Sequence, residues 1–357
     1  MKRILIFVVI GLLTVASSFA NEAILIDFTQ LGADITVGEG VHESQQNQRT
    51  MMNFADVAGP GFTPAQRASM LTSLAINNWD VTLSQSARTV TNNHFSLTRE
   101  APSRNYGTVM GVRVRFPTEP HNAWARITPP FAIPAFEFST VGADGTITDT
   151  DLTDITLSGT GRTRSRFEAQ SDGESAFGVV RNVGALRSVA VRVHGLNFPH
   201  TLTTILVDHH GVERNVMMGP LNFEGWAELQ WNNPQYIQEV RNRDLRLIPL
   251  YPFNTPYVRF GGFLVQRDAS HMGGDFITYF RDVRIIYDQA VLDMDRDIDD
   301  EAVWGIIHAR ETARKVWEME RFGHQQALRF LESERQAQIE EFDIRGRPVF
   351  QLNTNAQ

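Results

Sequence analysis

The run Asp144-Gly-Thr-Ile-Thr-Asp-Thr-Asp151 has the residue types of the later half of an EF-hand-type calcium loop, with Asp144, Gly145 and Asp151 at positions 5, 6 and 12. Positions 1 and 3 then fall on Thr140 and Gly142, which removes two oxygen donors that a hard cation needs, so the run reads as a solvated acidic turn. Asp293, Asp295 and Asp297 imitate the start of such a loop, but position 6 would be Ile298 and position 12 Trp304. These acids suit the approach to a helix, whose N-terminal dipole favours negative charge. His209 and His210 are adjacent and lack the spacing of a zinc motif. On a strand they would point to opposite faces and not chelate together, and the pair reads as a hairpin shoulder. No Gly-x-Ser-x-Gly elbow, phosphate loop or dinucleotide fingerprint occurs. The sequence therefore nominates no catalytic, cofactor-binding or metal-binding residue.

Two aromatic groupings remain. Phe223, Trp226, Trp231, Tyr236, Tyr251, Phe253 and Tyr257 crowd one stretch beside Asn232 and Asn233. Trp226, Trp231 and Tyr236 are candidates to stack sugars, as aromatics of carbohydrate-binding modules do. Against this, Trp226 and Trp231 are an odd number of residues apart, so on one strand at least one ring turns to the core. The second grouping lies on a C-terminal helix. Val303, Ile306, Ile307, Ala313, Trp317, Leu328, Leu331, Ile339 and Phe342 share one face, suited to covering a core. Trp304, Met319, Phe322 and Phe330 fall on another face and are the candidate partner interface, since aromatic residues are favoured at interface centres. The competing reading wedges that second face between core and loops.

The chain that must position these residues has 357 residues, with 33 Lys+Arg against 41 Asp+Glu. Lys2, Arg3, the apolar run Ile4 to Val15 and Ser18-Phe19-Ala20 have the form of a cleaved export signal over 1–20. Without those two cations the balance is 31 against 41, too acidic for a coat on nucleic acid. No later run is long enough to anchor the mature chain in a membrane. There is no cysteine, so disulfides and thiolate sites are excluded and stability rests on a hydrophobic core. After the leader Lys315 is the only lysine, and every other basic side chain apart from histidine is arginine, whose planar fork suits held contacts with carboxylates.

Strand signals dominate the mature chain. Ala23 to Phe28, Trp79 to Ser84 and Val109 to Phe116 read as strands. So do Phe177–Val180, Leu186–His194, Thr203–Asp208, Glu213–Met218, Trp226–Trp231, Leu245–Leu250, Val258–Gln266 and Phe276–Tyr287. Thr63-Pro64-Ala65-Gln66 is a capping box that starts a short helix running to about Leu74. The expected fold is mainly β: an antiparallel β-sandwich of jelly-roll type over 21–290, with a polar insertion loop near 139–175. A helical segment over 291–345 follows, which Gly323 would bend or interrupt, and then a tail over 346–357.

Several stretches resemble one family. They are Arg181-Asn-Val-Gly-Ala-Leu-Arg-Ser-Val-Ala190, Gly195-Leu-Asn-Phe-Pro-His-Thr-Leu202, Met218-Gly-Pro-Leu-Asn-Phe-Glu-Gly-Trp226 and Trp231-Asn-Asn-Pro-Gln-Tyr236. Gly262-Phe-Leu-Val-Gln-Arg-Asp268 and Gly273-Gly-Asp-Phe-Ile-Thr-Tyr-Phe-Arg-Asp282 continue the pattern, as do Ile24 to Thr29 and Trp304-Gly-Ile-Ile. The chain is similar in these to the flagellar filament outer-layer (sheath) proteins of spirochaetes, the FlaA type. The resemblance implies a structural subunit exported to the periplasm and laid around a core of flagellin-like subunits, beside other sheath subunits. Its implied partners include glycans on the core subunits, and it supplies neither catalytic residues nor a cofactor. The alternative from the residues is a periplasmic carbohydrate-binding protein with a jelly-roll fold.

Overall fold

In the computed structural model the described residues are 21–32, 50–55, 57–68, 70–136, 139–141, 147–149, 165–169, 177–249, 251–252, 255–293, 297–298 and 300–341, the side chains of 68, 139–141, 147–149, 301–302 and those beyond Gly323 excepted. The leader, the tail and most of the polar insertion, including Asp144 and Asp151, lie outside them, as does Asp295.

Twelve strands build two six-stranded antiparallel sheets. In chain order they are β1 (Asn21–Asp27), β2 (Asp80–Leu83), β3 (Leu97–Ser103), β4 (Gly107–Arg115), β5 (Trp124–Thr128) and β6 (Val179–Arg181). Then come β7 (Val183–Leu196), β8 (Thr201–Asp208), β9 (Glu213–Pro220), β10 (Glu224–Asn232), β11 (Tyr257–Gln266) and β12 (Asp275–Gln289). The first sheet runs β10-β7-β12-β4-β3, with β1 also paired to β12. The second runs β9-β8-β11-β5-β2, with β6 also paired to β11. The fold is thus the expected antiparallel sandwich.

Alternation decides which side chains enter the core. On β7, Val189, Val191 and Val193 are buried, while Ala190, Arg192 and His194 point outward. On β12, Phe276, Thr278 and Phe280 are buried first, and Val283, Ile285 and Tyr287 afterwards. The inward set changes from even to odd numbers because the pairing with β7 shifts register between Arg192 and Val193. This bulge leaves Arg281 and Asp282, consecutive in sequence, on the outward side together. Between the sheets Phe263 of β11 stacks on Phe280 of β12 at 4.1 Å and 13°. Phe28, Trp79 and Phe260 complete the aromatic cluster with edge-on and tilted contacts at 5.5 to 6.1 Å. At Gly262 (φ +129°) a Cβ would lie 2.2 Å from the Ile127 carbonyl oxygen, so only glycine lets β11 approach β5 there.

The helices are α1 (Pro64–Ala68), α2 (Val90–Phe95), α3 (Tyr236–Asp244), α4 (Asp300–Trp304) and α5 (Ile306–Glu341). The capping box forms as expected. The Thr63 amide donates to Gln66 Oε1 at 2.9 Å and the Gln66 amide to Thr63 Oγ1 at 3.2 Å. The helix is shorter than expected, however, and Leu71–Ser73 is extended. Three further readings are corrected. Leu97–Ser103 is a strand that the sequence pattern did not reveal. The stretch expected as a strand over Leu245–Leu250 keeps only Ile248–Pro249 extended and follows α3. The C-terminal helix is interrupted at Gly305 (φ +55°), between α4 and α5, and helix continues through Gly323.

The chain divides into two compact units: one holds the described residues up to Met52 and those from Leu71 to Ile307, the other Asn53–Met70 with the helix from His308 onward. In the second, Phe54 stacks on Phe322 at 4.9 Å and 23°.

Candidate functional site

On the C-terminal helices burial divides each of the two expected faces. Trp304 is 71% exposed, as an interface residue requires, but Met319 and Phe322 are only 9% and 7% exposed. Phe322 is held by Phe54 from within the chain, so neither it nor Met319 offers a free docking surface. Phe330 lies in α5 with its side chain outside the described set. Conversely Val316 and Trp317 are exposed, Trp317 by 58%, although Trp317 was expected on the core-facing side. The buried stripe of α5 runs from Ile307, expected on the core side, through Glu311, Glu318 and Met319 to Phe322. Its two carboxylates disguise it, because hydrophobicity alone assigns them to solvent. Arg321 lies 3.6 Å from Glu318 one turn away.

His209 and His210 fall in the turn between β8 and β9, not on a strand, and their rings approach to 3.9 Å. The pair sits on the shoulder of the β8–β9 hairpin, as the sequence suggested. The Asp208 carboxylate shapes this turn by accepting from the amides of His210 and Val212.

The three candidate sugar-stacking aromatics do not share one surface. Trp231 pairs with Val189 and so turns toward the core side of the first sheet, whereas Trp226 pairs with His194 on the outward side. Tyr236 belongs to α3, where its hydroxyl donates to Asp288 at 2.7 Å. That hydrogen bond, with burial, raises the Tyr236 phenol above its ordinary range.

Around Trp226 the outward face of the first sheet gathers residues that the sequence did not single out. Trp226, His194, Tyr279 and Gly111 occupy successive strands β10, β7, β12 and β4 in one cross-strand row. The rings of Trp226 and His194 meet edge to face at 5.3 Å, and those of His194 and Tyr279 at 5.7 Å. The Tyr279 ring fills the space that a Cβ on Gly111 would need, 3.2 Å away. Tyr106, from the turn joining β3 and β4, packs edge-on against Trp226 at 5.0 Å. In a flat sheet, strands β4 and β10 would stand about 14 Å apart, three spacings. Tyr106, carried on its turn, and Trp226 meet across this gap, so the row is bounded by rings as a trough.

The next row is charged. The Arg281 guanidinium lies over the Tyr106 ring at 4.4 Å. Arg192 donates to Glu228 at 2.9 Å, which strengthens its hold on its proton against the opposing effect of burial. Asp282 is 2% exposed. Arg281 Nε is 3.4 Å from its Oδ2, and Arg284 Nε is 3.3 Å from its Oδ1. Burial raises the Asp282 carboxyl above the usual range, opposed by Arg284, Arg281 and Arg192. These ion pairs are close but poorly aligned. Asp282 Oδ1, Arg281 Nε, Arg284 Nε and His194 Nδ1 are all buried without a hydrogen-bond partner from the protein. Leaving such an atom unsatisfied costs about 1–3 kcal/mol.

Nothing in this geometry is a nucleophile poised beside a base. The relatives decide the family. Residues 43–296 match the family model of the flagellar filament outer layer protein FlaA. A flagellar filament outer layer protein of Treponema pallidum (strain Nichols) is 42% identical over 343 residues, spanning 94% of this chain and 95% of that protein. One from Spirochaeta aurantia is 40% identical over 92% of this chain and 91% of its own length. The chain belongs to the FlaA family. The FlaA chain is also similar to a family 11 carbohydrate-binding module from Clostridium thermocellum solved with a mixed-linked tetrasaccharide. That likeness has 10% identity over 60% of this chain and 91% of the module, with a TM-score of 0.27. A family 61 module bound to β-1,4-galactotriose gives 9% identity, a TM-score of 0.26, and coverage of 59% of this chain and 88% of the module. Among the described residues, no helix is long and apolar enough to cross a membrane.

Proposed function

We propose that this FlaA chain is a non-catalytic shell subunit of a periplasmic flagellar filament. It leaves the cytoplasm on the leader over 1–20, which is then removed, and it is laid around flagellin-like core subunits beside other shell subunits. There it adds to filament stiffness and shape. The observation that carries the reading is a match to filament outer layer proteins over more than nine-tenths of both chains. The sandwich supports it with a disulfide-independent core, and the exposed rings of Trp304 and Trp317 supply apolar area for neighbours. The same rings revise the interface: Met319 and Phe322 leave it and Trp317 enters.

Filaments isolated from cells producing Trp304→Glu or Trp317→Glu chains test the interface. Each variant is expected to keep its melting temperature within about 2 °C, since exposed sites shift stability by ~0.5 kcal/mol or less. Each should lose at least tenfold in the fraction that sediments with filaments. Undiminished sedimentation of both would reject these rings as contacts, and absence of the wild-type chain from purified filaments would reject the shell role. Sequencing of the mature N-terminus is expected to begin at Asn21.

A further inference from the structure

We propose that the trough on the outward face of the first sheet is an oligosaccharide-binding site, floored by Trp226, His194 and Tyr279 and closed on one side by Tyr106 and Arg281. This goes beyond the shell reading and does not depend on it.

Four observations point to a ligand and to its chemistry. The rings lie in one row across three adjacent strands, with Tyr106 reaching over them. Half-buried rings in a trough favour a ligand with apolar C–H faces. The bulge in β12 then places Arg281 and Asp282 side by side on this face, which regular alternation forbids. Four buried polar atoms on this face lack a hydrogen-bond partner from the protein, and they are of both kinds. Arg281 Nε and Arg284 Nε are donors, Asp282 Oδ1 is an acceptor, and His194 Nδ1 takes either role according to tautomer. A group that satisfies both kinds must donate and accept, as a hydroxyl does; a phosphate only accepts at such a site and an ammonium only donates. Finally the charges nearly balance, with Arg192, Arg281 and Arg284 facing Glu228 and Asp282.

Alternating hydroxyls and apolar ring faces are the chemistry of pyranose chains. Other ligand classes fit less well. A nucleic acid needs an excess of cations, which Glu228 and Asp282 remove. A peptide added as a strand needs a free sheet edge, and the floor strands β7 and β12 are each paired on both sides. Uronic acids and neutral hexoses share the required hydroxyls, and the test separates them.

The experiment is calorimetric titration of the full mature chain with cellohexaose and, separately, with hexagalacturonate, each to 10 mM (on the order of the weak-affinity limit). Binding of either is expected, cellohexaose alone marking a neutral site and hexagalacturonate alone an acidic one. Trp226→Ala and Tyr279→Ala should weaken that binding at least tenfold. Trp124→Ala, on the second sheet, should leave it unchanged. Because a floor residue carries some packing, Tyr106→Ala in the turn is a second variant expected to lose binding with its melting transition intact. The proposal is overturned if neither sugar binds the wild-type chain. It is equally overturned if Tyr106→Ala and Trp226→Ala bind as wild type does. Loss of filament attachment in Trp226→Ala, without any sugar binding by wild type, would assign the face to a protein neighbour and reject the sugar.

Discussion

His200 shows how one buried side chain sets a pH limit. It is 1% exposed, and its ring packs against Phe116, Phe198, His271 and Phe276. Its Nδ1 accepts from the Asp268 amide at 3.3 Å. Burial first, then His271 and Arg267, push its pKa down to about 4. The folded chain therefore binds fewer protons than the unfolded one between pH 6.5 and about 4. The neutral ring's contribution is fully present above pH 6.5 and is lost as pH falls toward 4, about 3 kcal/mol in all. His200→Phe is expected to flatten that part of the acid limb in denaturant titrations at pH 7, 5.5 and 4. An equally steep limb in the variant would assign the acid sensitivity elsewhere. Of the trough residues only Trp226 was legible from sequence, because its aromatic neighbours drew attention to it. Tyr106, His194 and Tyr279 are up to 173 residues apart in the chain. No local pattern announces that three strands and a turn bring them together.

At the scale of elements, alternation was the readable signal and its interruptions were not. The strands around 183–196 and 275–289 follow from their β-branched and aromatic runs, yet the phase change at Arg281 does not. Reading β12 as one uninterrupted alternation would put Asp282 on the core face. The helix over Tyr236–Asp244 was overlooked for a related reason: it has no buried residue, so no apolar stripe marks it. Glycine was ambiguous too, since a break at Gly305 and continuous helix at Gly323 depend on backbone conformation, not composition. The strand approach at Gly262 allows a direct test. Gly262→Ala combines positive φ with a clash against the Ile127 carbonyl and should cost about 3 kcal/mol or more. Gly211→Ala has positive φ but no atom within 4 Å, and should cost only about 1 kcal/mol. Urea midpoints of the two variants measure the difference. Equal losses would mean that β11 can shift away from β5 and that the contact is not held.

At the scale of the whole molecule, the division into two compact units separates folding from assembly. The sandwich unit owns its aromatic core: Phe28, Trp79, Phe260, Phe263 and Phe280 all lie within it. The second unit is smaller and draws its stacking from Phe54 on one segment and Phe322 on the other. Ending the chain after Ile307 therefore removes Phe322 and exposes Phe54 without touching the sandwich core. The truncated chain is expected to melt in one cooperative transition by near-ultraviolet circular dichroism, with the signal of the buried aromatics retained. Residues 53–70 should become a site of early proteolysis, because Phe54 then loses the ring stacked on it and the segment keeps only its own hydrogen bonds and the pairing at its base. Filament sedimentation should fall at least tenfold, as for Trp317→Glu, since the exposed ring of Trp317 is gone. Loss of the cooperative transition would show that the sandwich needs the helix to fold. Retention of wild-type sedimentation would move assembly onto the sheets, and the trough around Trp226 would then be the first surface to alter.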